Sequence, residues 1–399
     1  MNSLATYPPR SLASRAWRLP TLGWLRVLLV LMVLDHHFDS LFSMYPERHG
    51  WVHIAPDNLW PAGAGLLAVI GFFVLSGFLV AHIVEERYNP TRVKDFCDFT
   101  FSRYLRLYPL YLIFFALALF ELCVLPGLPM PAWPILLSNV LQLPLSVYNF
   151  FPAAGQPLFD FGLRTLGPAW TLPLDFAFYP LGFLLMRNKR VILPTLVGLA
   201  LLQGLMLIKS VHAPSYPLPD LMGNWWRMNY YTTVPALFLP FLAGMQARLW
   251  RPAGPINPWW VVSSLVAVLL VVVVPYRLPQ VAAASIVCLA FAVLTRELFK
   301  NGSGPAEKAL GDITFGIYLS HYSWTFTTLH PALKFVAALV FGAAVGLTLE
   351  GQLCERVRRA LIVSDKLPWR ASLRTISGRA AFIPAGIVLA SSLYLWWVL

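Results

Sequence analysis

The first apolar run holds more ionisable groups than lipid tolerates. It carries Arg26 near its start and Asp35, His36, His37 and Asp39 near its end. A charged group at mid-bilayer costs about 2.5–3.5 kcal/mol on insertion scales, so this set marks a functional site by default. At about 100° per residue, the eleven steps from Arg26 to His37 come within about 20° of eclipse and rise about 16 Å. One guanidinium and one imidazole therefore share a helix face, spaced to grip the two ends of a long ligand, while His36 points about 80° away from Arg26. An imidazole, titrating near about pH 6.5, can take a proton from an attacking hydroxyl, which makes His37 the candidate base. Asp35, on the face opposite Arg26, His36 and Asp39 are candidates to orient it or relay its proton. The competing reading is a polar helix packed by hydrogen bonds within a bundle.

A second cluster lies in SRYLRLYPLYL, where Arg103 and Arg106 stand three apart on one helical face. Arginines so held can fork onto phosphate oxygens, although positive-inside anchoring also places arginines there. A third, GPAWTLPLDFAFYP, puts Trp170 and Asp175 at the start of another apolar run. Asp175 either pairs, binds a polar substrate, or caps the helix start, as Thr171 also could. His321 lies between Tyr318 and Tyr322 and reads equally as an acceptor-site residue or a packed polar one.

The elements that position these groups must be membrane helices. Of 399 residues, 58% are hydrophobic and 12% charged, against roughly 45–50% and 25% in soluble domains, and mean hydropathy is +0.65. Apolar runs fall at about 24–45, 62–84, 107–126, 168–186, 191–209, 231–247, 258–275, 279–295, 309–328, 332–352 and 381–398. Each approaches the ~17–25 residues a crossing needs, predicting an all-α polytopic membrane protein of ten core helices plus one extra C-terminal helix. The stretch 131–151 is cut by Pro131, Pro134 and Pro144, which favours an interfacial or re-entrant segment.

With the N-terminus inside, 24 of the 30 Lys and Arg fall on the cytoplasmic side, leaving outside only Arg48, Arg164, Lys209, Arg227, Arg277 and Lys334. That asymmetry is what the positive-inside rule asks, and it puts the N-terminus in the cytoplasm and the C-terminus outside. The net charge of +12 is therefore topology and not a nucleic-acid surface. Cys97, Cys123, Cys288 and Cys354 are scattered without metal-ligand spacing, so no metal site or disulfide scaffold is expected. Ser76 and Gly77 read as close-packing residues. The long segment 127–167 offers Tyr148, Asp160 and Arg164 for an acceptor, and Trp225, Trp226 and Arg227 are further candidates or parts of an interfacial belt.

Five separated segments together resemble the acyltransferase-3 family of integral-membrane acyltransferases. They are Arg26 with ten residues before His37, GFFVLSGFLV (71–80), RYLR at Arg103 and Arg106, WTLPLDFAFYP from Trp170, and LGDITFGIYLSHYSW (310–324). The resemblance covers roughly 20–350, and departs from the family pattern at Thr171 for serine, Asp175 for glutamate and Ile70 for a polar residue. It implies a cytoplasmic segment 1–23, a ten-span acyltransferase domain 24–352, a basic linker 353–380 and an additional helix 381–399. It also implies essential roles for Arg26 and His37, and donor contacts from Arg103 and Arg106. Asp175, Trp170, Tyr318 and His321 fall on the acceptor side. The implied donor is acyl-CoA, usually acetyl-CoA, with no tightly bound cofactor. The implied acceptor is a hydroxyl of a cell-envelope or extracellular glycan or glycolipid, at a bacterial inner membrane. Direct attack on the thioester and an acyl-histidine intermediate both remain open. A proton-coupled transporter of an anionic or sugar substrate is the rival class, since intramembrane His, Asp and Arg also build proton relays. The polar signature of the first span has no counterpart five spans later, as an inverted repeat would require.

Overall fold

A computed structural model of the chain describes residues 21–38, 42–43, 52–53, 63–124, 136–137, 140, 169–212, 234–250, 254–273, 280–300, 305–325, 327–363 and 378–398. A helix lies over each apolar run expected to cross. They are α1 (Thr21–Phe38), α2 (Gly63–Arg87), α3 (Val93–Val124), α4 (Leu172–Met186), α5 (Ile192–His212), α6 (Val234–Leu249), α7 (Pro258–Val273), α8 (Gln280–Phe299), α9 (Pro305–Ser320), α10 (Pro331–Val345) and α12 (Phe382–Val398), while α11 (Glu355–Val363) lies between the last two runs. Among the described residues, five segments are long and apolar enough to cross a membrane by length and composition: Thr21–Phe38, Leu67–Arg87, Val93–Phe120, Ala169–Met186 and Pro331–Ala360. The remaining regular structure includes a two-residue parallel pairing of Phe42–Ser43 with Val52–His53.

The helix bounds can be set beside the sequence reading, from which the end of α10 differs. α1 is described from Thr21 to Phe38, and Asp39 lies outside the described residues. α3 begins at Val93, so Arg103 and Arg106 lie within a 32-residue helix, on one helical face as their spacing predicts. Pro109 falls within it, tolerated where neighbours re-satisfy the freed backbone. α10 does not end near residue 352 but passes through a π-helical stretch, Gly346–Cys354, into α11. The first part of the expected linker is thus helical, and its Arg358 is buried in ion pairs with Glu350 and Glu355. Single-turn π segments are uncommon and recur at functional sites, and this one is longer than a turn.

α2 is the hub, packing against α1, α4, α6 and α8. Its tightest partner is α6, where Gly77 and Gly244 bring two backbones together. A Cβ on Gly77 would fall on the Phe241 carbonyl, and one on Gly244 would fall on the Val74 carbonyl, 2.9 Å from Phe78 N. Small residues allow this approach where no hydrophobic effect drives helices together in lipid. Around the crossing, Phe178 packs its ring 5.4 Å from Phe73, 4.9 Å from Phe238 and 5.3 Å from Phe241. The outside is apolar as well: Phe120, Leu201, Trp259, Leu289 and Val340 are each 65–79% exposed. Apolar surface of that kind suits a lipid surround.

α1 and α9 lie side by side and run the same way. Arg26 and Glu307 meet near their starts, and His37 and His321 meet near their ends. α12 packs back onto α4, α5 and α6.

Candidate active site

At the start of α1, the Arg26 guanidinium donates from Nη1 to Glu307 Oε1 at 3.0 Å, both side chains largely buried. Arg106 reaches the same place from α3. A Cβ at Gly311 of α9 would lie 3.4 Å from Arg106 Nη2 and 3.5 Å from Arg26 Nη1, so two guanidiniums converge on a position with no side chain. Arg103, one turn earlier on α3, sits 5.7 Å over the Phe99 ring and within electrostatic reach of Arg106. Like charges gathered out of water repel unless an anion joins them, and here Glu307 supplies one.

The basic segment after the π stretch buttresses this end. Arg358 donates from Nη1 to Glu350 Oε1 at 2.9 Å and to the Arg106 carbonyl at 3.3 Å, while its Nη2 pairs with Glu355 at 2.9 Å. Lys308 pairs with Asp312 within α9 at 2.7 Å and reaches Glu355 at 3.9 Å, the contact that ties α9 into the same network.

A second polar group occupies the middle of the bundle. Ser76, near the midpoint of α2, donates to Asp175 Oδ1 at 3.1 Å. The Tyr179 hydroxyl adds to this pair, within electrostatic reach of Arg103. Asp175 therefore stands at mid-bundle depth and caps no helix end. Thr171 does not cap α4 with its side chain either; its hydroxyl shares a 2.7 Å hydrogen bond with that of Tyr318. Gly77 is a packing residue as expected, whereas its neighbour Ser76 is a carboxylate partner.

The far end of α1 gathers imidazoles. The His37 ring lies 5.0 Å from His36, 5.1 Å from His321 and 5.3 Å from Tyr322. Gly65 of α2 makes room for His36, since a Cβ there would meet His36 Cδ2 at 2.6 Å. His321 is fully buried and its Nδ1 lies 2.9 Å from the Tyr318 carbonyl. Arg26, His37, Ser76, Asp175, Tyr179 and Tyr318 remain half-buried while making these cross-helix contacts, so they are not sealed by packing.

Of the residues singled out in the sequence, the structure joins Arg26 with Arg106, and His36 and His37 with His321. Tyr318 links toward both His321 and Thr171. Asp35 is buried on α1, and Trp170 is half-buried one residue before Thr171. Tyr148, Asp160, Arg164, Trp225, Trp226 and Arg227 lie outside the described residues. Glu307, Ser76's carboxylate contact, Gly311 and Arg358 escaped the sequence reading. An acid in one of the mostly basic segments between apolar runs was the available signal for Glu307. Among the described residues no group of His, Cys, Asp and Glu is placed to hold a metal ion, and Cys97, Cys288 and Cys354 are unbridged.

Chemically, the arrangement is a cation pair for an anionic ligand at one end of α1. An imidazole cluster stands at the other, about 16 Å away over eleven residues, with hydroxyls and a carboxylate between. The family model described as an acyltransferase domain, the acyltransferase-3 model, matches residues 19–351. No curated protein and no solved structure matches the chain.

Proposed function

The chain belongs to the acyltransferase-3 family of integral-membrane acyltransferases, and on that premise we propose that it moves an acyl group, acetyl by preference, from cytoplasmic acyl-CoA to a hydroxyl of a cell-envelope or extracellular glycan. The observation that carries this reading is the convergence of Arg26 and Arg106 over Gly311 at one end of α1, with His37 in an imidazole cluster at the other. A donor with phosphates at one end and a thioester at the far end of a flexible arm matches that spacing.

In this mechanism Arg26, Arg103 and Arg106 hold donor phosphates, the guanidinium fork matching phosphate oxygens. The pantetheine arm lies along the polar middle of the bundle, beside Ser76, Asp175 and Tyr179. His37 takes the acceptor hydroxyl's proton as the oxygen bonds to the acyl carbon. The carbon–sulfur bond then breaks, and the departing CoA sulfur receives a proton. Tyr318, Trp170 and Asp175 border the acceptor's approach.

The span assignment belongs to the same reading: ten core helices within 24–352, the linker 353–380, and α12 as an additional crossing in a bacterial inner membrane. Arg26, Arg103 and Arg106 then lie on the cytoplasmic side, where CoA is available, with His37 toward the outside.

The test is release of free CoA from acetyl-CoA by membranes containing the wild-type chain, a His37→Ala variant and an Arg103→Ala variant, with a crude envelope glycan fraction supplied. Release that needs the glycan and both residues supports the assignment. Absence of acyl-CoA binding by the folded protein refutes it and favours a transporter.

A further inference from the structure

The imidazole of His321 has a defined tautomer. Its Nδ1 faces two backbone carbonyls, Tyr318 O at 2.9 Å and Ile317 O at 3.3 Å. A carbonyl oxygen only accepts, so Nδ1 carries the hydrogen and, in the neutral ring, Nε2 carries a bare lone pair. That Nε2 is buried and has no hydrogen-bond partner among the described residues. The His321 side chain is 0% exposed, so water does not serve it from the surface. A buried, unsatisfied acceptor is destabilising, and a hydrophobic side chain would fill the site without that cost. Such groups are expected where chemistry retains them.

The neighbour of this lone pair is His37, whose ring centroid stands 5.1 Å away with planes inclined by 37°. An imidazole nitrogen lies about 1.1 Å from its ring centre. With facing nitrogens, that separation leaves about 2.8–2.9 Å between them, a hydrogen-bond distance. Turning the His37 ring about its Cβ–Cγ bond exchanges nitrogen and carbon edges without moving the centroid.

We propose that His321 is the proton partner of His37. As the acceptor hydroxyl gives its proton to one nitrogen of His37, the N–H on the other nitrogen is drawn to His321 Nε2, so the positive charge is shared by two rings instead of standing on one. When the carbon–sulfur bond breaks, one proton passes to the CoA sulfur and both imidazoles return to neutral, so the relay consumes nothing. Because α9 supplies both Glu307 against Arg26 and the end at which His321 meets His37, one helix sets the register of both ends of the site. His321 acts through His37 and is a positioning residue. The inference rests on the acyltransferase reading above.

The test compares full-length wild-type protein with His321→Asn and His321→Gln in reconstituted membranes, using labelled acetyl-CoA and the crude envelope glycan fraction. Asparagine keeps a donor near the Nδ1 position and lacks anything at Nε2, whereas glutamine places an amide oxygen there. The expected result is a fall in kcat of about 100-fold for Asn and a smaller fall for Gln, which accepts the N–H but cannot take the proton. KM for acetyl-CoA and the melting temperature stay near wild type. Retention of kcat within about threefold in His321→Asn overturns the inference. Equal loss in both variants with a lowered melting temperature also overturns it, by assigning His321 to packing. Wild-type protein that transfers no acetyl group overturns the acyltransferase reading itself, a separate outcome.

Discussion

Replacing Gly77 by alanine tests whether the α2–α6 crossing carries the fold. The added Cβ would sit on the Phe241 carbonyl, 2.7 Å from its carbon and 3.1 Å from Cα, and both contacts are backbone. Relief needs the helices to part by more than about 1 Å at the crossing. A gap of that size forfeits about half or more of each dispersion contact it opens, here among Phe73, Phe78, Phe238 and Phe241. Overpacking costs about 1–3 kcal/mol, and unyielding backbone on both sides puts this site at the upper end, about 3 kcal/mol. At about 2–4 °C per kcal/mol for a mid-sized domain, the melting temperature drops by about 6–12 °C. Thermal unfolding in detergent, followed by loss of the monodisperse peak, reads this directly. Gly198→Ala on α5 is the control, since its Cβ meets nothing within 4 Å and alanine favours helix by up to about 1 kcal/mol. Gly77→Ala and Gly244→Ala open the same crossing, so their double variant loses less than the sum. A Gly77→Ala protein that melts within a degree of wild type refutes the reasoning.

Three further expectations concern the site and its supports. Glu307→Gln removes the anion that occupies Arg26 at 3.0 Å, so KM for acetyl-CoA falls by about 5–10-fold, worth roughly 1–1.4 kcal/mol; an unchanged or raised KM shows that Glu307 does not compete with the donor. Arg358→Ala strips the partner from buried Glu350, and breaking a buried pair costs about 3–5 kcal/mol, measured as a lowered melting temperature that Arg358→Lys partly restores. Ser76→Ala leaves the Asp175 carboxylate without its 3.1 Å donor and lowers the transfer rate by about tenfold or more, with Ser76→Thr retaining most activity; a wild-type rate in Ser76→Ala removes this pair from the mechanism.

The sequence by itself determined what depends on local geometry. Apolar run lengths located the helices, because crossing a bilayer fixes a residue count. The helical period placed Arg26 and His37 on one face, because that relation needs only α1 to be a helix. The paired arginines and the run holding Asp175 were visible as charges in unfavourable surroundings. The continuation of α10 into α11 was not legible, since a polar helix end is held by contacts with other elements, as Arg358 is by donating to the Arg106 carbonyl of α3. What faces what was decided only in three dimensions. Glu307 lies 281 residues from Arg26 and Asp175 lies 99 from Ser76, and no periodicity within one helix encodes a partner on another. The convergence on Gly311 and the meeting of His321 with His37 follow from α1 and α9 running in parallel, which packing at Gly23, Gly311 and their neighbours sets. The sequence thus named most of the reactive groups, and tertiary packing chose their partners, because pairing across helices is a property of the bundle and not of any segment.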